Sequence, residues 1–181
     1  MTTIIETDRL LLRTWKKEDL APFYQMNADS RVMQYFPATL SKNQSDDLAQ
    51  KIQVEHDKKP YGLYAVEVPN ISPFIGFIGL HYQNFEASFT PCIEIGWRLA
   101  FNYWGKGYAT EGAKAVLAHA FSKLKLPEIV SFTAKINSPS IRVMEKIGMQ
   151  KALEFDHPKL PKNHPLQKHV LYQITNPLLI T

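Results

Sequence analysis

The sequence predicts an α/β (α+β) fold in which one mixed, mostly antiparallel sheet carries helices on both faces. Three runs rich in aromatic and β-branched residues, at 61–68, 74–82 and 92–99, follow one another with turn residues between them. Such runs are typical of antiparallel hairpins. A helical run then leads from the third of them to a further strand at 129–134, and a right-handed crossover of this kind makes its two strands parallel. Amphipathic helices bury their apolar side, so we expect them to cover the sheet.

The first third of the chain is predicted to hold one strand and two main helices. The strand spans Arg9–Thr14, and a helix opens at the acidic pair 18–19, whose charges suit a helix N-terminus. A short helical segment lies around 29–36. Ser41 and Gln44 have the spacing of a capping box, in which each side chain bonds the other's backbone, so they predict the start of the next helix.

The second half alternates helices with strands. Pro127 ends a helix whose apolar positions form one stripe, at 109, 113, 116, 117, 120, 121 and 124. Asn137 or its neighbour caps the next helix, which ends before Gly148, and closing strands follow near 149–155 and 169–174. The predicted order is therefore β-α-α-β-β-β-α-β-α-β-β.

Length and composition predict one cytoplasmic domain spanning 1–181. Of the 181 residues, 45% are hydrophobic, 21% are charged and one is cysteine, which fits a reducing compartment. The first residues lack the order of a signal peptide, and no apolar run approaches the ~20 residues of a membrane span. The net charge of +4 is mild and its lysines are scattered, so nucleic acid is not favoured as a partner.

The most informative stretch is Arg98–Glu111, which joins a strand to an amphipathic helix through a turn. Gly105 and Gly107 lie at the junction, where backbone N–H groups can converge at the positive end of a helix dipole. That arrangement binds anions, phosphate most often. The turn is not a P-loop, and Thr110 stands where a Rossmann fingerprint would need its third glycine. Taken alone, the glycines are explained equally well by a tight strand–helix connection.

Four ordered motifs resemble the GCN5-related N-acetyltransferases, the GNAT superfamily. They are the runs Thr7–Arg13, Asn102–Gly107, Tyr103–Glu111 and Asn137–Gly148. The likeness covers about residues 5–175 and is strongest to the branch of ribosomal-protein N-terminal acetyltransferases. It implies a splayed sheet and acetyl-coenzyme A as co-substrate, with no metal. In the turn, the sequence departs from the family's usual pattern at Asn102, where glutamine or arginine is usual.

The resemblance also implies how the coenzyme is held. Backbone N–H groups from Tyr103 to Ala109 would bind the pyrophosphate, and the pantetheine arm would lie between the strands at 92–99 and 129–134. Asn137 would bond to that arm. The implied coenzyme contacts are Trp97, Arg98, Leu99, Asn102, Tyr103, Trp104, Gly105, Lys106, Gly107, Tyr108, Ala109, Thr110, Asn137, Ser140 and Met144.

Glu94 is the candidate general base. It stands mid-strand between apolar residues, where its carboxylate would face the cleft, and the family often uses a glutamate here. An exposed glutamate or a structural ion pair is the alternative. Many relatives place a tyrosine as general acid where this chain has Met144, so Ser140 is the candidate acid instead. A backbone N–H near Trp97–Leu99 would stabilise the oxyanion.

The acceptor side is predicted from the same likeness. Tyr35, Phe36, His81 and Glu94 would line it, and His157 lies in a loop that often closes the acceptor site in this branch. Ordinary core packing is the alternative for the two aromatic residues. The residues leave the oligomeric state open, a homodimer included.

Neither a metal site nor a covalent intermediate is expected. His157, His164 and His169 are separated by 7 and 5 positions and have no cysteines beside them, which does not match a compact zinc pair. Cys92 has no evident histidine or asparagine partner, so direct transfer in a ternary complex is favoured over a cysteine nucleophile.

The sequence is therefore interpreted as an acetyl-CoA-dependent N-acetyltransferase acting on a primary amine. The acceptor is a small molecule or a protein N-terminus. The missing tyrosine leaves a catalytically silent acyl-CoA-binding or sensing module as one alternative. The net charge leaves a ribosome- or RNA-binding protein as a weaker one.

Overall fold

Residues 2–179 are described by a computed structural model of the chain, and their centre is one sheet of eight strands. The strands are β1 (Thr3–Glu6), β2 (Leu11–Arg13), β3 (Leu63–Val68), β4 (Ser72–Gln83), β5 (Cys92–Leu99), β6 (Glu128–Ala134), β7 (Gln150–Asp156) and β8 (Lys168–Thr175). Their spatial order is β1-β2-β3-β4-β5-β6-β8-β7, and every neighbouring pair is antiparallel except β5 and β6. The predicted fold class is confirmed.

The α-helices lie in two groups along the described chain. They are α1 (Leu20–Ala28), α2 (Ser30–Met33), α3 (Lys42–Lys58), α4 (Tyr108–Ser122) and α5 (Ser138–Lys146). The capping box at Ser41 and Gln44 is confirmed at the start of α3. Asn137 caps α5 by accepting a hydrogen bond from the Ser140 backbone N–H, and Gly148 follows α5 with φ +89°. These local signals fixed the helix ends that later position the site.

One strand was not predicted, and one helix ends earlier than predicted. Strand β1 was not predicted, because four residues at a sheet edge are too short to show a period, and β1 exists through its pairing with β2. Helix α4 ends at Ser122 rather than at Pro127. The chain closes a turn there, with the N–H of Leu126 bonded to the carbonyl of Ala120 and Lys125 at φ +54°.

Helices pack on both faces of the sheet, as predicted. Ala65 and Phe77 are cross-strand neighbours on one face and are buried with residues of α1, α2 and α3. Val66 and Ile78 point to the other face, where they are buried with residues of α4 and α5. Successive strand residues face opposite sides of a sheet, so the strand residues in front of each helix layer can be named from their parity.

The parallel strands β5 and β6 separate soon after they meet. Their register holds one pair of Cα partners, Glu94 with Val130, whereas the antiparallel pair β6–β8 holds seven. The chain therefore opens a gap between the ends of β5 and β6, and the β6-facing backbone of β5 beyond Glu94 has no strand partner among the described residues. This is the splay implied by the resemblance.

Candidate active site

A cleft of about 870 Å³ runs along the splayed strands. It extends from the glycine turn before α4, past the start of α5, to the residues that follow β7. Every site residue predicted above lines this cleft except Asn102 and Lys106. A volume of this size is typical of small-molecule and cofactor sites.

The glycine turn presents free backbone donors to the cleft. Gly105 and Gly107 have φ +73° and +84°, a region that glycine enters without strain, and Gly107 is the N-cap of α4 without a side-chain cap. Within the described chain, the N–H groups of residues 105–110 have no hydrogen-bond acceptor. They lie at the positive end of a 15-residue helix, which makes the turn an anion site.

The free donors begin two residues later than the predicted range. The N–H of Tyr103 bonds to the carbonyl of Ala100, and that of Trp104 bonds to the carbonyl of Phe101. Both side chains still line the cleft, and the Trp104 indole donates to the Leu99 carbonyl at 2.7 Å. Tyr103 and Trp104 therefore shape the turn by packing, and their backbone N–H groups are used within the chain.

Asn102 and Lys106 lie at the rim of the turn rather than in the cleft. Both residues are exposed, and neither lines the cleft. The Lys106 ammonium stands 5.5 Å from the centre of the Tyr103 ring. Its remaining route to an anion in the turn is long-range attraction, which salt screens.

A residue that the sequence reasoning did not select holds the outside of the turn. Arg9 donates from Nη1 to the Lys106 carbonyl at 3.0 Å and from Nε to Glu111 at 2.7 Å, and its guanidinium lies 4.8 Å above the Tyr108 ring. Thr7 donates to the other Glu111 oxygen at 2.6 Å. Burial opposes the charge on Glu111, but these bonds outweigh it and lower its pKa. The loop before β2 therefore fixes the peptide from which the free donors project.

Removing the Arg9 contacts should weaken coenzyme binding without changing the chemical step. We expect Arg9→Gln to lower affinity for coenzyme A about tenfold, since hydrogen bonds to charged groups contribute ~1.5–3 kcal/mol. Arg9→Lys keeps the charge but cannot bridge Lys106 and Glu111, so it should restore little. Calorimetric titration with coenzyme A measures the effect, and Lys42→Gln, in an exposed pair with Asp46 outside the cleft, is the control. Equal affinities in all four proteins would show that Arg9 does not position the turn.

Three polar groups lie at the gap between β5 and β6, where β6 ends and α5 begins: Thr133, Asn137 and Ser140. The Asn137 amide donates to the Thr133 hydroxyl at 2.8 Å and to the Ser140 oxygen at 3.1 Å. Ser140 accepts that bond, so its own O–H remains available to donate into the cleft. Met144, one turn further along, lies at the cleft floor with 1% of its surface exposed. It belongs to the hydrophobic core and has no proton to give.

Glu94 lies in the middle of the cleft with one oxygen engaged and the other free. It is 7% exposed, and its Oε2 accepts from Gln83 Nε2 at 2.6 Å and from His81 Nε2 at 2.9 Å. Its Oε1 has no hydrogen-bond partner within the described chain. His81 is the direct cross-strand neighbour of Glu94 on β4. Sequence reasoning missed Gln83, whose approach depends on the register of β4 against β5.

The pairing with Glu94 favours the charged form of His81. Burial disfavours the imidazolium, but the hydrogen bond to Glu94 and the carboxylates of Glu94 and Glu55 outweigh burial, so the pKa of His81 is raised. A larger share of His81 is therefore protonated at neutral pH than for an isolated histidine. His81 Nε2 lies 2.9 Å from Glu94 Oε2, and this contact holds the carboxylate in the cleft.

This coupling predicts a pKa change on substitution of Glu94. In Glu94→Gln the charged partner is lost while burial remains, so the pKa of His81 should fall below its wild-type value. Nuclear magnetic resonance titration of the His81 ring proton measures it, with His81→Gln providing the assignment. The exposed substitution Glu18→Gln is the control. An unchanged His81 pKa in Glu94→Gln would show that the two side chains are not paired in solution.

The end of the cleft that is predicted to take the acceptor is aromatic. Phe132, His157 and His169 line it, and the two imidazole rings are 4.8 Å apart. Burial is the main cause that lowers the pKa of both histidines, so they are uncharged at neutral pH. Tyr35 and Phe36 line the opposite wall, with Phe36 38% exposed. Sequence reasoning selected His157 but gave no acceptor role to Phe132 or His169, whose strands meet only in the folded sheet.

Arg98 lines the cleft, but its side chain lies on the face of the sheet where the acceptor, not the coenzyme, is predicted to bind. Residues 94, 96 and 98 share a face of β5, and Arg98 is opposite Phe77 of β4, on the face covered by α1, α2 and α3. Its guanidinium donates to Asn27 at 2.7 Å. Only its backbone faces the gap where the pantetheine was expected.

Three other properties of the described residues bear on chemistry. Burial, with Glu94 and Glu128 adding to it, raises the pKa of Cys92 to about 11, so its thiolate is scarce at neutral pH. No group of three or more histidine, cysteine, aspartate or glutamate residues in the described chain is arranged to hold a metal ion. None of the helices described between residues 2 and 179 is long and apolar enough to cross a membrane.

The cleft has three features that suit an extended anionic ligand: a gap between splayed strands, free N–H donors at one end and a carboxylate beside the gap. A family model described as "Acetyltransferase (GNAT) domain" matches residues 9–150. The chain belongs to this family and is a GNAT acetyltransferase. The resemblance of the motifs to the GNAT superfamily is confirmed.

Individual relatives agree with the family assignment. The chain is 32% identical over 148 residues to the uncharacterized N-acetyltransferase YnaD of Bacillus subtilis (strain 168), covering 81% of this chain and 82% of that protein. A solved acetyltransferase (GNAT family) from Bacillus anthracis superposes with TM-score 0.78 at 28% identity, over 95% of this chain and 98% of that one. Mycobacterium smegmatis RimJ in complex with CoA-disulfide shares the fold, with TM-score 0.75 at 18% identity over 95% and 84% of the two chains.

Proposed function

We propose that the protein transfers an acetyl group from acetyl-coenzyme A directly to a primary amine in a ternary complex. The observation that carries the proposal is the arrangement of one cleft. It combines the free N–H groups of residues 105–110, the gap between β5 and β6, and the half-free carboxylate of Glu94. These features match a pyrophosphate, an extended thiol arm and an amine in that order along the cleft.

The chain's own groups fit the coenzyme. Backbone donors of the glycine turn would hold the pyrophosphate, with the α4 dipole reinforcing them. The β6-facing backbone of β5 and the polar start of α5, at Asn137 and Ser140, would hold the pantetheine arm. RimJ, which shares the fold, was solved with a coenzyme A disulfide, and this supports the same use of the cleft here.

Glu94 is proposed as the general base. Its free Oε1 would take the proton from the charged amine, and the neutral amine nitrogen would then bond to the thioester carbonyl carbon. Backbone N–H groups near Trp97–Leu99 would stabilise the developing oxyanion. As the carbon–sulfur bond breaks, the hydroxyl of Ser140 would donate a proton to the departing sulfur and would regain, through solvent, the proton that the nitrogen loses when the amide forms. The high pKa of Cys92 supports direct transfer, because a protonated thiol is a poor nucleophile.

Two classes of acceptor amine fit this reaction. A protein N-terminal α-amine is one candidate, because an α-amine with an unperturbed pKa of about 8 needs less deprotonation than a lysine side chain at about 10.4. A small-molecule amine is the other. Both fit a cleft whose far end is lined by aromatic and histidine side chains.

A two-part experiment tests this function. Coenzyme A binding is measured by calorimetry, and thiol release from acetyl-coenzyme A is followed over a panel of small amines and N-terminal peptides. Binding together with multi-turnover release that depends on an amine is the expected result. Binding without release from any amine would favour a silent acyl-CoA-binding module, and RNA binding without coenzyme binding would favour the ribosome-associated alternative.

The role of Ser140 gives a separate prediction. Ser140→Ala removes a hydroxyl that Asn137 orients, so kcat should fall by about 10- to 100-fold, whereas coenzyme affinity should fall only by the share of one contact to the pantetheine arm. Steady-state thiol release measures kcat and KM. Ser138→Ala, at the exposed start of the same helix, is the control. Equal kcat values for the two variants would assign the proton on the departing sulfur to water.

A further inference from the structure

Arg98 is a half-buried cation that the proposed catalytic steps do not use. Its guanidinium carbon lies 4.2 Å from the centre of the Phe36 ring and 5.5 Å from that of Phe77, and its Nη1 donates to Asn27 Oδ1 at 2.7 Å. These neighbours are apolar or neutral. They stack on the guanidinium and orient it but do not balance its charge.

The rest of the Arg98 side chain has no partner. Its Nε is buried and makes no hydrogen bond in the described chain, and no acceptor is found there for Nη2. No carboxylate of the described residues forms a salt bridge with it. Burial lowers the pKa of Arg98 to about 10, which still leaves it charged at neutral pH.

The same protein shows how a permanently buried arginine is satisfied. Arg13 is 0% exposed, and its Nη1 and Nη2 meet the two oxygens of Asp19 at 2.8 and 2.9 Å, while its Nε meets Glu67 at 2.9 Å. Burying a charge without a partner is costly. Arg98 differs from Arg13 in lacking carboxylates and in lining the cleft. The missing counter-ion is therefore expected from the ligand.

The unpartnered edge of Arg98 has the geometry that binds two oxygens. Nε and Nη2 lie on one side of the planar guanidinium, and their parallel N–H bonds match a carboxylate. The coenzyme's phosphates are expected elsewhere, because the α4 layer packs against Leu99 and Ile95 on the opposite face of β5. Arg98 instead shares the face of Glu94, four residues away, or about 13 Å between Cα atoms along a strand.

We propose that Arg98 forms an anion subsite in the acceptor half of the cleft and that the acceptor carries a carboxylate several bonds from its amine. An ω-amino acid has this chemistry. The amine would lie at Glu94 and the carboxylate on the Nε–Nη2 edge of Arg98. This substrate class rests on the proposed amine acetylation, of which it is a narrower form.

Matched acceptors test the subsite. Thiol release is measured for ω-amino acids of increasing chain length and for the alkylamines of equal length that lack the carboxylate. In the wild-type protein we expect at least about a tenfold higher kcat/KM for the carboxylated member at the best length, or about 1.4 kcal/mol. Arg98→Gln keeps a donor for Asn27 and should bring that ratio close to one. Arg98→Lys keeps the charge without the paired edge and should give an intermediate ratio.

Controls separate the outcomes. Lys114→Gln changes net charge at an exposed position outside the cleft and should keep the wild-type ratio. A wild-type ratio of one, or a ratio that survives Arg98→Gln in a folded protein, overturns the subsite. A rise in KM for acetyl-coenzyme A as the only effect of Arg98→Gln also overturns it, because Arg98 would then serve the coenzyme.

A binding experiment tests the subsite even if the protein acetylates neither the ω-amino acids nor the alkylamines. The same ω-amino acids and alkylamines are titrated into the coenzyme A complex while the fluorescence of Trp97 and Trp104, which line the cleft, is followed. Saturable binding of the carboxylated members alone, lost in Arg98→Gln, supports the subsite even if acetylation of amines fails. Absence of carboxylate-dependent binding overturns the subsite. Failure of the wild-type protein to bind coenzyme A would count against the proposed function instead.

Discussion

Replacing Gly107 by aspartate should abolish useful binding of coenzyme A. Gly107 has φ +84°, and a Cβ there would lie 3.3 Å from Arg9 Nη2. Left-handed backbone costs a residue with a Cβ roughly 1–2 kcal/mol, which favours a rearranged turn. The new carboxylate would also repel phosphate at the free N–H groups and compete with Glu111 for Arg9. Together these effects should lower the affinity for coenzyme A by about 100-fold or more.

Two further glycine substitutions separate the effect of backbone strain from the effect of a negative charge at the phosphate site. Gly148 has φ +89° and is exposed after α5, so Gly148→Asp carries the same strain and charge away from the turn and should bind normally. Gly107→Asn adds the side chain without the charge, and asparagine tolerates left-handed backbone, so its loss should be smaller. Calorimetry gives the affinities and circular dichroism confirms folding. A folded Gly107→Asp protein with wild-type affinity would move the phosphate site away from this turn.

The centre of the fold could be predicted because its signals are local. The strand 92–99, the paired glycines and the apolar stripe of the following helix occupy one continuous stretch, and each obeys its own short period. The same holds for the cap at Asn137, where the asparagine and the Ser140 N–H are three residues apart. For this reason the predicted bounds of β5 match the structure, and the start of α5 lies where the cap was expected.

Contacts between distant parts of the chain could not be predicted in the same way. Arg9 and Glu111 are 102 residues apart, and nothing in either segment indicates the partner. Gln83 approaches Glu94 only because β4 and β5 take one register out of several that their patterns allow. In contrast, the face of β5 on which the Arg98 side chain lies could have been predicted. Its spacing of four from Glu94 on one strand already placed both side chains on the same face, and this signal could have been used.

Glu94→Gln should lower turnover more than Ser140→Ala does. The glutamine keeps the shape of the side chain and can still accept a bond from Gln83, but it cannot take a proton from the amine. General bases contribute about 10²–10⁴-fold to rate, so kcat should fall by at least about 100-fold. Affinity for coenzyme A should remain close to wild type, because the glycine turn and α4 do not contact this carboxylate. Steady-state thiol release and calorimetry measure the two quantities separately.

The pH dependence distinguishes a base from a merely structural carboxylate. Below the pKa of the acceptor amine, most of the amine is charged, and the wild-type protein can use Glu94 to remove the proton. Above that pKa the amine is already neutral, so the ratio of wild-type to Glu94→Gln rates should shrink as the pH rises. Glu18→Gln, at an exposed site, should show no such change. A constant ratio across the titration would mean that Glu94 acts by holding His81 and Gln83 in place, since that role does not depend on the protonation state of the acceptor.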